Sequence, residues 1–220
     1  MGAKKERILD KPVIIREKKG YLIAKRTIDI IGSLVGLLIC LPAIIVIASL
    51  IKLEDGGPII FKQLRVGKNG KNFYIYKFRS MSVDAELQKN KLLEQNEVEG
   101  AMFKMKNDPR VTKIGSFIRK TSLDEIPQFF NVLTGSMSLV GPRPPLLDEV
   151  AMYTDYDKQR LLVTPGLSGL WQISGRSNLS FSDMVDLDIF YIENRSISLD
   201  FKIMFITVGH MIFIKKNGAF

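Results

Sequence analysis

Between Ile30 and Ile51 the chain carries no charged residue. About 20 such residues are enough to cross the hydrocarbon core of a bilayer. The run is too long, and has too much protein after it, to be a signal-peptide core, and no small-residue cleavage site follows it. Pro42 sits near its middle, where proline removes a helical hydrogen bond and collides with the carbonyl of Leu38. Both flanks are basic. Residues 1 to 26 hold nine lysines and arginines, among them Lys18, Lys19, Lys25 and Arg26, a pattern that suits anionic headgroups. Lys52, Lys62, Arg65, Lys68 and Lys71 follow the run. The positive-inside tendency then draws both flanks to the cytoplasmic side. A helix broken at Pro42, entering and leaving by one leaflet, satisfies both observations; a proline-kinked spanning helix is the alternative.

With 220 residues, 46% of them apolar, the chain suffices for one domain with a core of its own plus membrane-embedded surface. A net charge of +9 fits nucleic acid, an anionic membrane or an anionic small substrate. A nucleic-acid binder is a possibility, but the aromatics do not interleave with the basic residues and the apolar run would be unexplained, so no nucleic-acid partner is expected. Cys40, the only cysteine, allows no intrachain disulfide and is compatible with a reducing compartment. His210, the only histidine, rules out multi-histidine metal sites and reads as packed or interfacial. A hard cation on carboxylate oxygen is the metal this composition permits.

Beyond the apolar run, Glu54 to Pro58 is a strong breaker. Ile59–Val66 and Phe73–Arg79 read as two strands around Gly67-Lys68-Asn69-Gly70, a hairpin signal. Lys77 and Arg79 read, on the residues alone, as solvent-facing strand positions. Val83–Gln95 has the spacing of an amphipathic surface helix, and Asn96–Gly100 that of a loop. Asn107–Arg110 is a turn into a short helix, Thr112–Lys120. Leu146–Leu162 has mixed helical spacing stopped by Pro165-Gly166. Thr164–Arg176 is a glycine-rich loop around Trp171, with no Walker ending and no dinucleotide context; Trp171 reads as an interface anchor or a packed residue. Phe181–Asn194 reads as a helix whose Asp183, Asp186, Asp188 and Glu193 form a solvated face. The apolar stretch Ile203–Ile214, between Lys202 and Lys215-Lys216, is too short to span and reads as an amphipathic helix on the membrane, or else a buried terminal helix.

The chemistry concentrates in RKTSLDEIPQFFNVLTGSMSLVGPRP, from Arg119 to Pro144. Asp124 can serve as the N-cap of an apolar helix that starts near Pro127, or Ser122 and Glu125 can form a capping box; either explains the acids structurally. Their company suggests more. A helix start favours phosphate, Arg119 precedes it, and Arg143 is held between Pro142 and Pro144, where a rigid guanidinium can grip a phosphate with two bonds. Adjacent helical residues point about 100° apart, so Asp124 and Glu125 can face different partners.

The string LDEIPQFFNVLTGSMSLVGPRP resembles the signature of the bacterial sugar transferases, the small monotopic phosphoglycosyl transferases that start glycan assembly on a polyprenyl phosphate. YIYKFRSM, NDPRVTKIGSFIRKTSLDE and TPGLSGLWQISGR resemble further blocks of that family in the same order. Family members break their membrane helix at a serine-proline pair; here the pair is Leu41-Pro42. The resemblance implies transfer of a sugar 1-phosphate from a UDP-sugar to undecaprenyl phosphate, with release of UMP, as the first step of capsule, exopolysaccharide or other surface-glycan synthesis. It implies Asp124 as nucleophile, Glu125 as ligand of Mg²⁺, and Arg119, Arg143, Arg176 and Lys77 around the phosphates. It places the protein on the cytoplasmic face of the bacterial membrane, in contact with membrane lipids.

The expected architecture is α+β and mostly helical: a basic arm over 1–24, a re-entrant membrane helix over 25–53, and a compact catalytic domain over 54–220 with a small β-hairpin and amphipathic interfacial helices. The competing reading is a non-enzymatic membrane adaptor whose acids only cap helices, and for which Asp124→Asn would be silent.

Overall fold

The computed structural model describes residues 12–15, 19–85, 87–88, 105, 108–175 and 179–212. Most of the basic arm, most of the expected Val83–Gln95 helix, the loop after it, Asn107, Arg176 and Lys215-Lys216 lie outside the described residues.

Helix α1, Lys19–Asp55, takes up the whole apolar run and stays helical through Pro42. It buries one narrow face, at Asp29, Ser33, Ile47 and Ile51. Ile31, Leu34, Leu38, Ile39, Ile45 and Val46 remain exposed around it. The two halves are held differently. The second half packs by burial, Ile47 and Ile51 meeting Phe78, Ile118 and Ile126 in one apolar cluster. The first half is held by polar contacts. Tyr21 and Lys25 both donate to Asp200 at 3.0 Å, and Asp29 accepts from Ser138 Oγ at 3.0 Å and from the Leu139 N–H at 2.8 Å. Arg26 donates to the carbonyls of Val132 and Leu133 at 2.6 and 2.7 Å. Lys25 and Arg26 therefore do not serve lipid headgroups, as their position before the apolar run suggested. Carbonyls at a helix C-terminus have no partner within the helix and attract cations, and the buried Asp200 needs a counter-charge. Gly32 and Gly36 allow the close approach: a Cβ there would lie 2.7 Å from Leu139 and 2.9 Å from Phe129.

Strands β1, Ile60–Val66, and β2, Asn72–Phe78, form the expected antiparallel hairpin, with Ile60 opposite Phe78 and Val66 opposite Asn72. Asn69 and Gly70 both take positive φ in the turn, as Asn-Gly favours. Helix α2, Lys113–Lys120, begins where Thr112 accepts from the Gly115 N–H at 2.9 Å. Helix α3, Gln128–Thr134, ends at Gly135 in the left-handed region, and strand β3, Ser138–Val140, follows.

Leu146–Leu162 does not form one helix. It divides into α4, Leu147–Ala151, α5, Asp155–Lys158, and a 3-10 turn, Gln159–Leu162. Thr154 and Asp157 close a capping box that restarts the helix after a break. The expected glycine-rich loop is also more ordered than its composition implied. Gly166–Ser168 is strand β4, parallel to β3, and Leu170–Ser174 is helix α6. A Cβ on Gly166 would lie 2.0 Å from the Gly141 nitrogen, so those glycines permit backbone contact rather than flexibility.

Helix α7, Phe181–Asn194, is capped by Ser180 and Asp183. Its acids do not form a uniformly solvated face: Asp188 is fully buried and paired with Arg160, at 2.8 Å to Nε and 2.6 Å to Nη2. Spacing alone could not show this, because the face that meets the 3-10 turn is set by tertiary packing. Helix α8, Ile197–Ile212, buries Ile203 in the cluster with Val140, Val185 and Ile189 while leaving Phe201, Phe205 and Val208 exposed. It combines a core face with an exposed apolar face. The architecture is mostly helical with two small two-stranded sheets.

Candidate active site

The acids sit where α2 turns into α3. Gly115 lets α2 lie against the chain at Ser80, whose carbonyl would be 1.9 Å from a Cβ on that glycine, and Arg119 lies in the last turn. After Thr121 the backbone enters the left-handed region at Ser122, with φ of 56°. A 3-10 turn, Leu123–Glu125, follows, and Pro127 occupies the N-cap of α3. Neither expected capping arrangement forms. Asp124 lies before the cap, Ser122 makes no side-chain cap bond, and Pro127 is the residue at the helix start. The left-handed step at Ser122 and the tight turn point the acids elsewhere.

They point to Lys77 of β2. Its ammonium is 2.6 Å from Glu125 and 3.6 Å from Asp124, although it lies 48 residues earlier in the chain than Glu125. Asn131 of α3 fixes that relation, accepting from the Tyr76 N–H at 3.0 Å and donating to the Tyr74 carbonyl at 2.7 Å. The strand bearing Lys77 is thereby tied to the helix that follows the acids. Lys77 is no simple surface residue, and neither is Arg79, whose buried guanidinium pairs with Asp55.

Burial pushes the Asp124 carboxyl above its ordinary range, with Glu125 adding to the rise while Lys77 and Arg119 oppose it. Desolvation acts the same way on Glu125, whose side chain is still 38% exposed, but there Lys77, with Arg143 and a Gln128 hydrogen bond, outweighs it and holds the carboxyl below its ordinary range. Two neighbouring carboxylates thus have opposite electrostatics. Arg143 is half-buried, 3.1 Å from Glu149, which also accepts from the Leu146 N–H at 2.9 Å.

The fold therefore sets Lys77 against Asp124 and Glu125, with the charge of Arg119 acting on Asp124 and that of Arg143 on Glu125, whereas Arg176 lies outside the described residues. One neighbour was missed. Arg65, read from the chain only as part of a basic flank, is buried beside this group and donates to the Pro144 carbonyl at 3.1 Å. Its place at the end of a strand before a glycine turn carried no sign of burial.

Among the described residues no group of three or more histidine, cysteine or acidic side chains is placed to cage a metal. Asp124 and Glu125 still fit Mg²⁺, which binds through one or two carboxylates and takes its remaining oxygens from substrate phosphates and water. Chemically, a buried carboxylate flanked by Lys77 and Arg119 is suited to meeting an anionic electrophile: the cations offset the repulsion between carboxylate and phosphate.

The family model for bacterial sugar transferases matches residues 20–214. The chain is 55% identical over 193 residues to the galactosyl transferase CpsE of Streptococcus agalactiae, covering 87% of this chain and 42% of that protein. It is 42% identical to the undecaprenyl-phosphate galactose phosphotransferase of Salmonella typhimurium, covering 92% of this chain and 43% of that protein. It is 39% identical to the exopolysaccharide production protein ExoY of Rhizobium meliloti, and there the match covers 90% of this chain and 91% of the relative. The chain thus spans less than half the length of the first two relatives and nearly all of the third. On a match over residues 20–214 and on relatives of this identity, the chain belongs to the bacterial sugar transferase family.

Proposed function

We propose that this protein transfers a sugar 1-phosphate from a UDP-sugar to undecaprenyl phosphate, releasing UMP, as the initiating step of capsule, exopolysaccharide or related surface-glycan synthesis. The observation that carries the reading is the pairing of a buried Asp124 with Glu125 around Lys77, at 3.6 and 2.6 Å, in a chain whose relatives are named for galactose phosphate transfer and exopolysaccharide production. An Asp124 oxygen attacks the sugar-bearing phosphorus, and the bond from that phosphorus to the bridging oxygen breaks, so that UMP leaves with the electron pair. An oxygen of the lipid phosphate then attacks the same phosphorus, and the acyl phosphate bond breaks to restore the Asp124 carboxylate. Lys77 and Arg119 hold the incoming phosphate against Asp124, and Arg143, with Arg176 as a further candidate, grips the departing one. Mg²⁺, held by Glu125, would supply charge neutralisation on the diphosphate.

The lipid acceptor keeps its tail in the bilayer, so the site must lie at headgroup height on the cytoplasmic face. A re-entrant α1 serves that requirement; the helix is continuous through Pro42, so re-entry would come from a bend at that proline and not from the expected break. Its support is that the folded body contacts α1 near both ends, at Tyr21 and Lys25 and again where Glu54 accepts from the Lys113 N–H at 2.9 Å. A body on one side of a membrane could not hold both ends of a helix that crossed it. The adaptor reading has lost its premise, because the acids do not cap helices.

The test is UMP release by purified protein supplied with Mg²⁺ and a panel led by UDP-galactose and UDP-glucose, with and without undecaprenyl phosphate. Turnover should require the lipid, stop on chelation, and vanish in Asp124→Asn. Folded protein that is silent across the panel, or a fully active Asp124→Asn, would refute the proposal.

A further inference from the structure

Arg65 is 9% exposed. Its guanidinium donates to two neutral oxygens, the Pro144 carbonyl at 3.1 Å and Gln63 Oε1 at 2.6 Å, and its Nε is buried without a partner. Among the described residues it forms no ion pair with a carboxylate. The charges that act on it include a second guanidinium, that of Arg143, and two carboxylates already engaged elsewhere: Glu149 is bonded to Arg143 at 3.1 Å and to the Leu146 N–H, and Glu125 to Lys77 at 2.6 Å. Burial, with repulsion from Arg143 next, lowers the Arg65 pKa to about 10, which leaves it charged at neutral pH.

A buried cation beside another cation, with no carboxylate of its own, is an unfavourable arrangement in the free protein. It becomes favourable when an anion settles beside the pair. The backbone shows where that effect is delivered. Arg65 bonds the Pro144 carbonyl and the adjoining Val66 N–H bonds the Pro145 carbonyl at 3.0 Å, so the end of β1 holds the segment that presents Arg143.

We propose that Arg65 is a positioning residue for the nucleoside diphosphate sugar: it fixes the Arg143 segment and carries a buried charge, offset only in part by carboxylates bonded elsewhere, that is fully balanced when the donor's diphosphate is bound. The proposal rests on the transferase reading and adds a residue to it. It separates Arg65 from a simple loop staple by sign. A staple stabilises the protein whether or not donor is present; an incompletely compensated charge costs stability without donor and returns it with donor.

The experiment compares the full-length chain with Arg65→Gln and Arg65→Lys, by thermal unfolding with and without UDP-galactose or UDP-glucose plus Mg²⁺, and by the KM for the same donors in UMP release. Arg65→Gln, which keeps a donor for Pro144, should unfold at an unchanged or higher temperature alone. It should lose the donor-induced upward shift and raise KM about tenfold or more, with a smaller effect on kcat. Arg65→Lys should recover much of the shift. A lowered midpoint for Arg65→Gln with donor shift and KM intact would overturn the proposal and leave a staple, as would a Gln variant that equals the Lys variant in donor response. Wild-type protein that neither shifts nor releases UMP with any donor would instead remove the transferase reading, and this proposal with it.

Discussion

Ser122 is one of two non-glycine residues with positive φ among those described, and it stands two positions before Asp124. Left-handed backbone costs an ordinary L-residue roughly 1–2 kcal/mol, and such strain is kept where a site needs the geometry. Ser122→Gly should therefore keep UMP release and gain up to about 1 kcal/mol in stability. Ser122→Val, whose branched Cβ resists that conformation, should lose about 1–2 kcal/mol and most of its activity. Thermal unfolding and donor turnover check both, and equal activity in the two variants would mean that the step does not set the acids.

A second residue-scale expectation concerns Asp108. The Arg110 guanidinium, bonded to its carboxylate at 2.8 and 2.6 Å, holds it below the usual range. A carboxyl lowered in the folded state stabilises the protein above the unfolded value of about 3.9 and loses that contribution as pH falls through its own lower value. The gap in unfolding temperature between wild type and Asp108→Asn should be full at neutral pH and shrink below about pH 4. A gap that stays flat with acidification would contradict the assignment.

Among elements, α3 links the long apolar helix α1 to the candidate site. Its N-terminal side follows the acids, Asn131 ties its middle to the strand of Lys77, and its last carbonyls receive Arg26 from α1. Removing Arg26 strips two charge-assisted bonds from a helix terminus. Arg26→Ala should cost about 1–3 kcal/mol, speed amide exchange in α3 and lower turnover without affecting Lys25. Unchanged exchange in α3 would show that the grip is incidental. Elements whose ends carry local chemistry were legible from the chain. Thr112 before α2 and Ser180 with Asp183 before α7 are caps that act within one turn, and Asn69-Gly70 specifies its own turn. Leu146–Leu162 misled because its helical spacing is interrupted by a restart that its apolar pattern does not register. The strand in Gly166–Ser168 was hidden because it exists only against β3.

For the whole molecule the decisive arrangement is that one body holds both ends of α1. Lys19 and Lys68 are exposed on either side of the apolar run. In a Cys40→Ser background, Lys19→Cys and Lys68→Cys should both react with a membrane-impermeant thiol reagent from the cytoplasmic side, and neither from outside. Reaction from opposite sides would establish a spanning helix and end the re-entrant proposal.

By itself the sequence determined what nearest neighbours decide. The uncharged run from Ile30 to Ile51 is long and apolar enough to cross a bilayer core, the caps and the Asn-Gly turn set local backbone, and the motif from Arg119 to Pro144 carried the family resemblance. Tertiary structure alone decided which charges go inward. Lys25 and Arg26 turn from lipid to Asp200 and α3, Asp188 is buried against Arg160, Lys77 reaches the acids across the chain, and Arg65 is enclosed beside Arg143. The physical reason is common to all of them. A charged side chain has the same local signature whether it meets water or a buried partner, and only the meeting of distant surfaces determines which it is.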